Sequence, residues 1–148
     1  MSQGNQEKNQ SRSSFCLVEI APEPSQFSDL RSAVGWTSPT LEVLEQSMQA
    51  SLYWVSVYAE ERLVGTGRVV GDGAMYFYIQ DVIVHPHYQG AGLGSQIMAK
   101  INHYLNKHCV SGATVGLFAA KGKEPFYQKF AFTERDGDIL GLGMCRFV

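Results

Sequence analysis

Basic residues are sparse and scattered in this 148-residue chain: no Lys/Arg run exceeds two residues, and the formal net charge is −2. A polyphosphate backbone demands a concentrated positive surface, so nucleic acid is excluded as an expected partner. Cysteine is scarce as well. Cys16, Cys109 and Cys145 are odd in number, far apart and outside any C-x-x-C spacing. That pattern supports neither a disulfide framework nor a zinc site, and a reducing cytoplasm is the expected location. His85 and His87 flank a proline, and His103 and His108 miss the same-face spacing of a helical metal pair, so no metal is expected. No stretch approaches a membrane-spanning run, and residues 1–14 have no apolar core of signal-peptide length, so no membrane partner is expected either.

What is present is 45% hydrophobic residues, enough for one domain with a substantial core. Residues 1–13, rich in Gln, Asn and Ser without apolar periodicity, read as a flexible tail, leaving 14–148 as the domain. A first strand is predicted at 15–20, closed by Ala21-Pro22-Glu23-Pro24. Two short helices follow, the first capped by Ser25 or Ser28 and carrying Leu30 and Val34, the second carrying Leu41, Val43, Leu44 and Met48. The texture then turns to strand at 53–59, 63–70 and 74–84, with turns at Glu60-Glu61-Arg62 and Gly71-Asp72-Gly73. The third of these strands is apolar or aromatic on both alternating faces, which predicts a central position.

Ile97, Met98, Ile101 and Leu105 mark an amphipathic helix, and 113–119 a further strand, so strand, helix and strand form a right-handed parallel crossover. A short helix at 124–130 and weaker strands at 132–134 and 139–148 close the chain. The expected fold is α+β, a twisted, mixed but mainly antiparallel sheet flanked by helices. Its order is strand, two helices, three strands, helix, strand, helix, two strands. The last stretch, apolar and glycine-rich, is expected to leave an edge that a homodimer would cover.

Between the central strand and the long helix lies Gln89-Gly90-Ala91-Gly92-Leu93-Gly94-Ser95. Glycines there let backbone N–H groups approach an anion at a helix N-terminus, and phosphate is the natural ligand. Ser95 and Gln96 stand where a P-loop lysine would, and the spacing is G-x-G-x-G rather than G-x-G-x-x-G, which weakens nucleotide hydrolysis and dinucleotide binding alike. A plain flexible turn is the competing reading of the loop alone.

With its context, the stretch from Asp81 through Val84-His85-Pro86 to Gln89, Gly92, Gly94 and Ser95 resembles the Q/R-x-x-G-x-G/A signature of the GNAT superfamily of N-acetyltransferases. Glu124-Pro125-Phe126-Tyr127-Gln128-Lys129-Phe130-Ala131-Phe132 is similar to the F-Y-x-K/R-x-G-F segment of the same family, in the P-F-Y form of arylalkylamine acetyltransferases. Ala131 replaces the usual glycine, and the usual asparagine is missing from residues 119–122. The segment from Ile79 to Gly94 also resembles glucosamine-6-phosphate acetyltransferases. The likeness covers about the C-terminal two-thirds of the chain.

This resemblance implies acetyl-coenzyme A as cosubstrate. Its arm would pair with the main chain of Val82, Ile83 and Val84, and its pyrophosphate would sit on Gln89, Gly90, Ala91, Gly92, Leu93, Gly94 and Ser95. It also implies that Tyr127 touches the coenzyme and serves as the catalytic group that stabilises or protonates the leaving thiolate. Acyl transfer further needs a neutral amine, and at pH 7 deprotonating an alkyl amine costs about 4.6 kcal/mol. Asp81 is a candidate base because it interrupts an otherwise apolar strand, where a polar side chain needs a partner, and His85 is a comparable candidate because an unperturbed imidazole has a pKa of about 6.5. Trp36, Tyr78 and Gln80 are candidate acceptor contacts. The expected acceptor is a primary amine of a small molecule. A protein lysine or N-terminus, or a coenzyme-binding sensor without turnover, are the alternatives.

Overall fold

A computed structural model describes residues 14–148; the expected tail at 1–13 lies outside the described residues. The chain forms β1 (Phe15–Val18), α1 (Pro24–Ala33), α2 (Leu41–Gln49), β2 (Tyr53–Ala59), β3 (Arg62–Gly71) and β4 (Tyr76–Val84). A short 3-10 turn follows at Pro86–Tyr88, then α3 (Leu93–His108), β5 (Thr114–Leu117) and α4 (Glu124–Gln128). The five strands form one sheet in sequence order, antiparallel except for the parallel β4–β5 pair that α3 connects. This is the mixed α+β architecture the patterning predicts.

Local chemistry explains the element boundaries. α1 begins at Pro24, whose missing N–H falls where a helix has no use for one, so neither Ser25 nor Ser28 caps it as expected. α2 is capped by Thr40, whose hydroxyl accepts from the Val43 N–H. Asp72 accepts from the N–H groups of Ala74, Met75 and Tyr76, so the β3–β4 turn extends further and β4 starts at Tyr76.

Each face of the sheet carries its own core. Ile97, Met98, Ile101 and Leu105 of α3 bury against Val55, Val57, Val69, Phe77 and Ile79 on one face. Phe27 and Leu30 of α1 and Leu44 and Met48 of α2 bury against Trp54, Leu63 and Ile83 on the other. β4 contributes to both, and the way it does so is unusual. In a regular strand Phe77, Ile79 and Ile83 share a face. Here Phe77 and Ile79 face α3 while Ile83 faces α1 and α2, and Val82 and Val84 take over the α3 side.

The switch happens at Asp81, which adopts a left-handed backbone (φ 53°). The register jumps there, from Arg68 opposite Gln80 to Thr66 opposite Ile83, so that Asp81 and Val82 together oppose Gly67. The Thr66 hydroxyl donates to the Asp81 carbonyl at 2.9 Å and replaces the ladder bond the bulge removes. Gly67 has no room for a side chain, because a Cβ would lie 2.6 Å from Ile97 Cγ2 and 2.8 Å from Ile101 Cδ1.

The two closing strands do not form. Residues beyond Gln128 contain no strand, and Ile139, Met144 and Phe147 are about nine-tenths exposed. Phe132 still packs against the α3-side core, but residues 139–148, although their composition suits a strand, are exposed and find no partner ladder among the described residues.

Candidate active site

β4 runs to Val84, yet β5 pairs only with its first part, Tyr76 to Ile79 against Thr114 to Leu117. The two strands then part, and a cleft of about 1190 Å³ opens between them. The His85 N–H donates to the Val64 carbonyl, which turns the polar main chain of His85 and Ile83 toward β3. By alternation, Val82 and Val84 turn theirs toward the cleft. Of these groups the Val84 carbonyl already accepts from Gln89 Nε2 at 3.0 Å. The remainder offer a peptide-like arm the bonds that a further strand would make. Ile83 lines the cleft, but its main chain is committed to β3, so the expected pairing through three consecutive residues narrows to Val82 and Val84.

The loop after β4 ends in Gly92, left-handed at φ 80° and the N-cap of α3. No side chain caps this helix, and its first internal bond is from Gln96 N–H to the Gly92 carbonyl. The N–H groups of Leu93, Gly94 and Ser95 therefore have no partner among the described residues, and they stand at the positive end of a 16-residue helix. Gln89, Gly90, Gly92, Leu93, Gly94 and Ser95 all line the cleft; Ala91 does not. Gly94 marks where α4 meets the start of α3: a Cβ there would lie 3.4 Å from Phe126 Cζ, in ordinary contact with that ring.

α4 brings Tyr127 to the cleft beside Tyr78. Burial, reinforced by Tyr78, raises the Tyr127 phenol above its ordinary range, so it stays protonated and able to donate. Tyr78 itself accepts from the Phe118 N–H at 3.2 Å, tying the parted strands together just past their last pair. Lys121 and Lys123 also line the cleft.

Trp36, Gln80 and Asp81 line the same cleft. The Asp81 side chain is 0% exposed, and each carboxylate oxygen accepts from a different arginine, Oδ1 from Arg31 Nη1 and Oδ2 from Arg68 Nε at 2.9 Å. A base must reach the proton it takes. With both oxygens engaged and no accessible surface, Asp81 is placed as an anchor of the bulge rather than as a base. His85 is likewise unsuited, because it lies outside the cleft with Nε2 2.9 Å from Arg62 Nη2 and Nδ1 3.1 Å from the His87 N–H. Burial, then the charges of Arg62 and His87, lowers its affinity for a proton.

Sequence reasoning missed Arg31. Its Nε donates to Ser38 Oγ at 2.9 Å and Nη2 to the Thr37 carbonyl at 2.8 Å, and its guanidinium lies 5.5 Å from the centre of the Trp36 ring. The only available signal was an arginine at the end of a helix five residues before a tryptophan.

A family model described as "Acetyltransferase (GNAT) domain" matches residues 30–145. The chain is 29% identical to the uncharacterized N-acetyltransferase ycf52 of Porphyra purpurea over 79% of its own length and 68% of that protein's. It is 32% identical to a ycf52-like uncharacterized N-acetyltransferase of Prochlorococcus marinus over 73% of its own length and 61% of that protein's. The chain thus spans about two-thirds of the length of these relatives. Among solved structures, one from methicillin-resistant Staphylococcus aureus, described as a protein of unknown function and "Probable Acetyltransferase", superposes with a TM-score of 0.82. It shares 32% identity and covers 90% of this chain and 100% of its own.

Proposed function

The chain belongs to the GNAT acetyltransferase family, and from that premise we propose that it moves an acetyl group from acetyl-coenzyme A to a primary amine of a small molecule by direct attack. One observation carries the reading. A single cleft holds the open main-chain edge of β4, the uncapped N-terminus of α3 and the half-buried phenol of Tyr127. These suit, in turn, a peptide-like arm, a pyrophosphate and a leaving sulfur.

When bound, acetyl-coenzyme A supplies the thioester. Val82 and Val84 would hold its arm, and the N–H groups of Leu93, Gly94 and Ser95 its pyrophosphate, each charge-assisted bond contributing about 1.5–3 kcal/mol. Tyr127 donates at the sulfur. Full proton transfer from a phenol already above pKa 10 to a thiolate near 8.5 would cost about 2 kcal/mol or more, so a hydrogen bond that strengthens as the sulfur departs is the economical role. Gln80 and Tyr78 face the acceptor, and the amine's proton leaves through water in the open cleft, since Asp81 is committed to its arginines.

The test is release of free thiol from acetyl-coenzyme A across a panel of small amines and lysine-containing peptides. Turnover of small amines is expected. Turnover confined to peptides would move the reading to protein acetylation, and tight coenzyme binding with no turnover on any acceptor would make the chain a sensor.

A further inference from the structure

Four charged residues line the cleft, Arg31, Asp81, Lys121 and Lys123, of which Asp81 has its side chain fully buried. Lys121 and Lys123 lead into α4, whose Phe126 meets Gly94, so they belong with the phosphate end. The acceptor end is left with Asp81 and its two arginines, and two guanidiniums against one carboxylate leave one positive charge over. Arg68 is not where that charge is offered. It is buried, and Nη1 donates to the Ser47 carbonyl, Ser47 Oγ and Ser51 Oγ at the C-terminal end of α2, where exposed carbonyls favour a cation.

The excess therefore faces the cleft at Arg31, whose side chain keeps 17% exposure. Three of its N–H groups have partners, Ser38 Oγ, Asp81 Oδ1 and the Thr37 carbonyl. A guanidinium has five, so two remain without a protein partner among the described residues. Those bonds and the Trp36 ring hold the group in one orientation.

Resting on the acetyl-transfer reading above, we propose that the acceptor carries an anionic group, a carboxylate or a phosphate, near its amine, and that Arg31 is the residue that selects it. A fixed guanidinium with two free N–H groups suits such an oxyanion. The same positive field disfavours the ammonium form of the acceptor and so eases the deprotonation that attack requires. It also repels acceptors bearing a second cation, such as polyamines and lysine-rich peptides.

The experiment compares matched acceptors that differ only in the anion, with acetyl-coenzyme A and thiol release as readout: an α-amino acid against its carboxamide, and an amino-sugar phosphate against the free amino sugar. The anionic member of at least one pair is expected to have a kcat/KM about tenfold or more above its neutral partner, and which pair responds distinguishes carboxylate from phosphate. Arg31→Gln should bring that ratio toward one at unchanged KM for acetyl-coenzyme A, and Arg31→Lys should retain part of it. Because Arg31→Gln also strips a partner from buried Asp81, its melting is followed in parallel, and the wild-type ratios stand without it. Equal or better turnover of the neutral members, or a preference for polyamines or lysine peptides, overturns the anion requirement while leaving acetyl transfer intact. If no amine accelerates thiol release although acetyl-coenzyme A binds, the acetyl-transfer reading falls with it.

Discussion

Replacing Asp81 separates two roles for the same carboxylate. In wild type the side chain is fully buried between guanidiniums that are themselves 17% and 9% exposed. Removing one partner of a buried ion pair costs about 3–5 kcal/mol, because the remaining charge keeps its desolvation and loses its compensation. Asp81→Asn should lie at the lower end, about 3 kcal/mol, since Asn tolerates the left-handed backbone and retains one acceptor oxygen. Asp81→Ala loses both acceptors and adds about 1–2 kcal/mol of left-handed strain, bringing it close to the whole stability of an ordinary domain. For a chain of this size 3 kcal/mol corresponds to a fall of about 6–12 °C in Tm. Urea unfolding at neutral pH, compared at equal m-value, is the assay. If Asp81→Asn loses less than about 1 kcal/mol while kcat falls about a hundredfold in a folded enzyme, the carboxylate is the base and the anchoring argument is refuted.

Tyr127→Phe should lower kcat by about a hundredfold while leaving coenzyme affinity within about twofold, as steady-state kinetics and coenzyme titration would report; an unchanged kcat removes the assigned role. Because burial raises that phenol, kcat should show no loss from its ionisation between pH 7 and 10, which a pH profile checks. Gly92→Ala meets no atom within 4 Å but must hold φ 80°, so thermal melts should show a loss of about 1–2 kcal/mol from backbone strain alone, with Gly92→Asn milder. His85 binds a proton less readily folded than unfolded. Its contribution to stability is therefore full above about pH 6.5 and is lost as pH falls through its lowered folded value, and His85→Gln should flatten the urea midpoint over that acid window.

The parts of the site legible in the sequence were those with a local signature. The helical stripe of α3, the glycines before it and the apolar texture of β4 need no distant partner to be recognised. The bulge was invisible because β4 is apolar on both faces, so a change of face at Asp81 leaves the pattern as hydrophobic as before. Arg31 was hidden for a related reason: its meaning comes from Asp81, fifty residues away, and nothing in its own neighbourhood announces a buried partner. Residues 139–148 show the opposite failure, since a stretch with the composition of a strand does not become one without a neighbouring edge and a covered face.

The parting of β4 from β5 bears on how much binding has to cost. Gln80 to Val84 is held along its other side by β3, by the Thr66 hydroxyl and by the Asp81 ion pairs, so its φ and ψ are fixed when the protein folds. A ligand arm that adds along the free side, at Val82 and Val84, meets a template already fixed in place, and the loss of conformational entropy falls on the arm alone. Here preorganisation comes from an ordinary sheet in which one neighbour stops early.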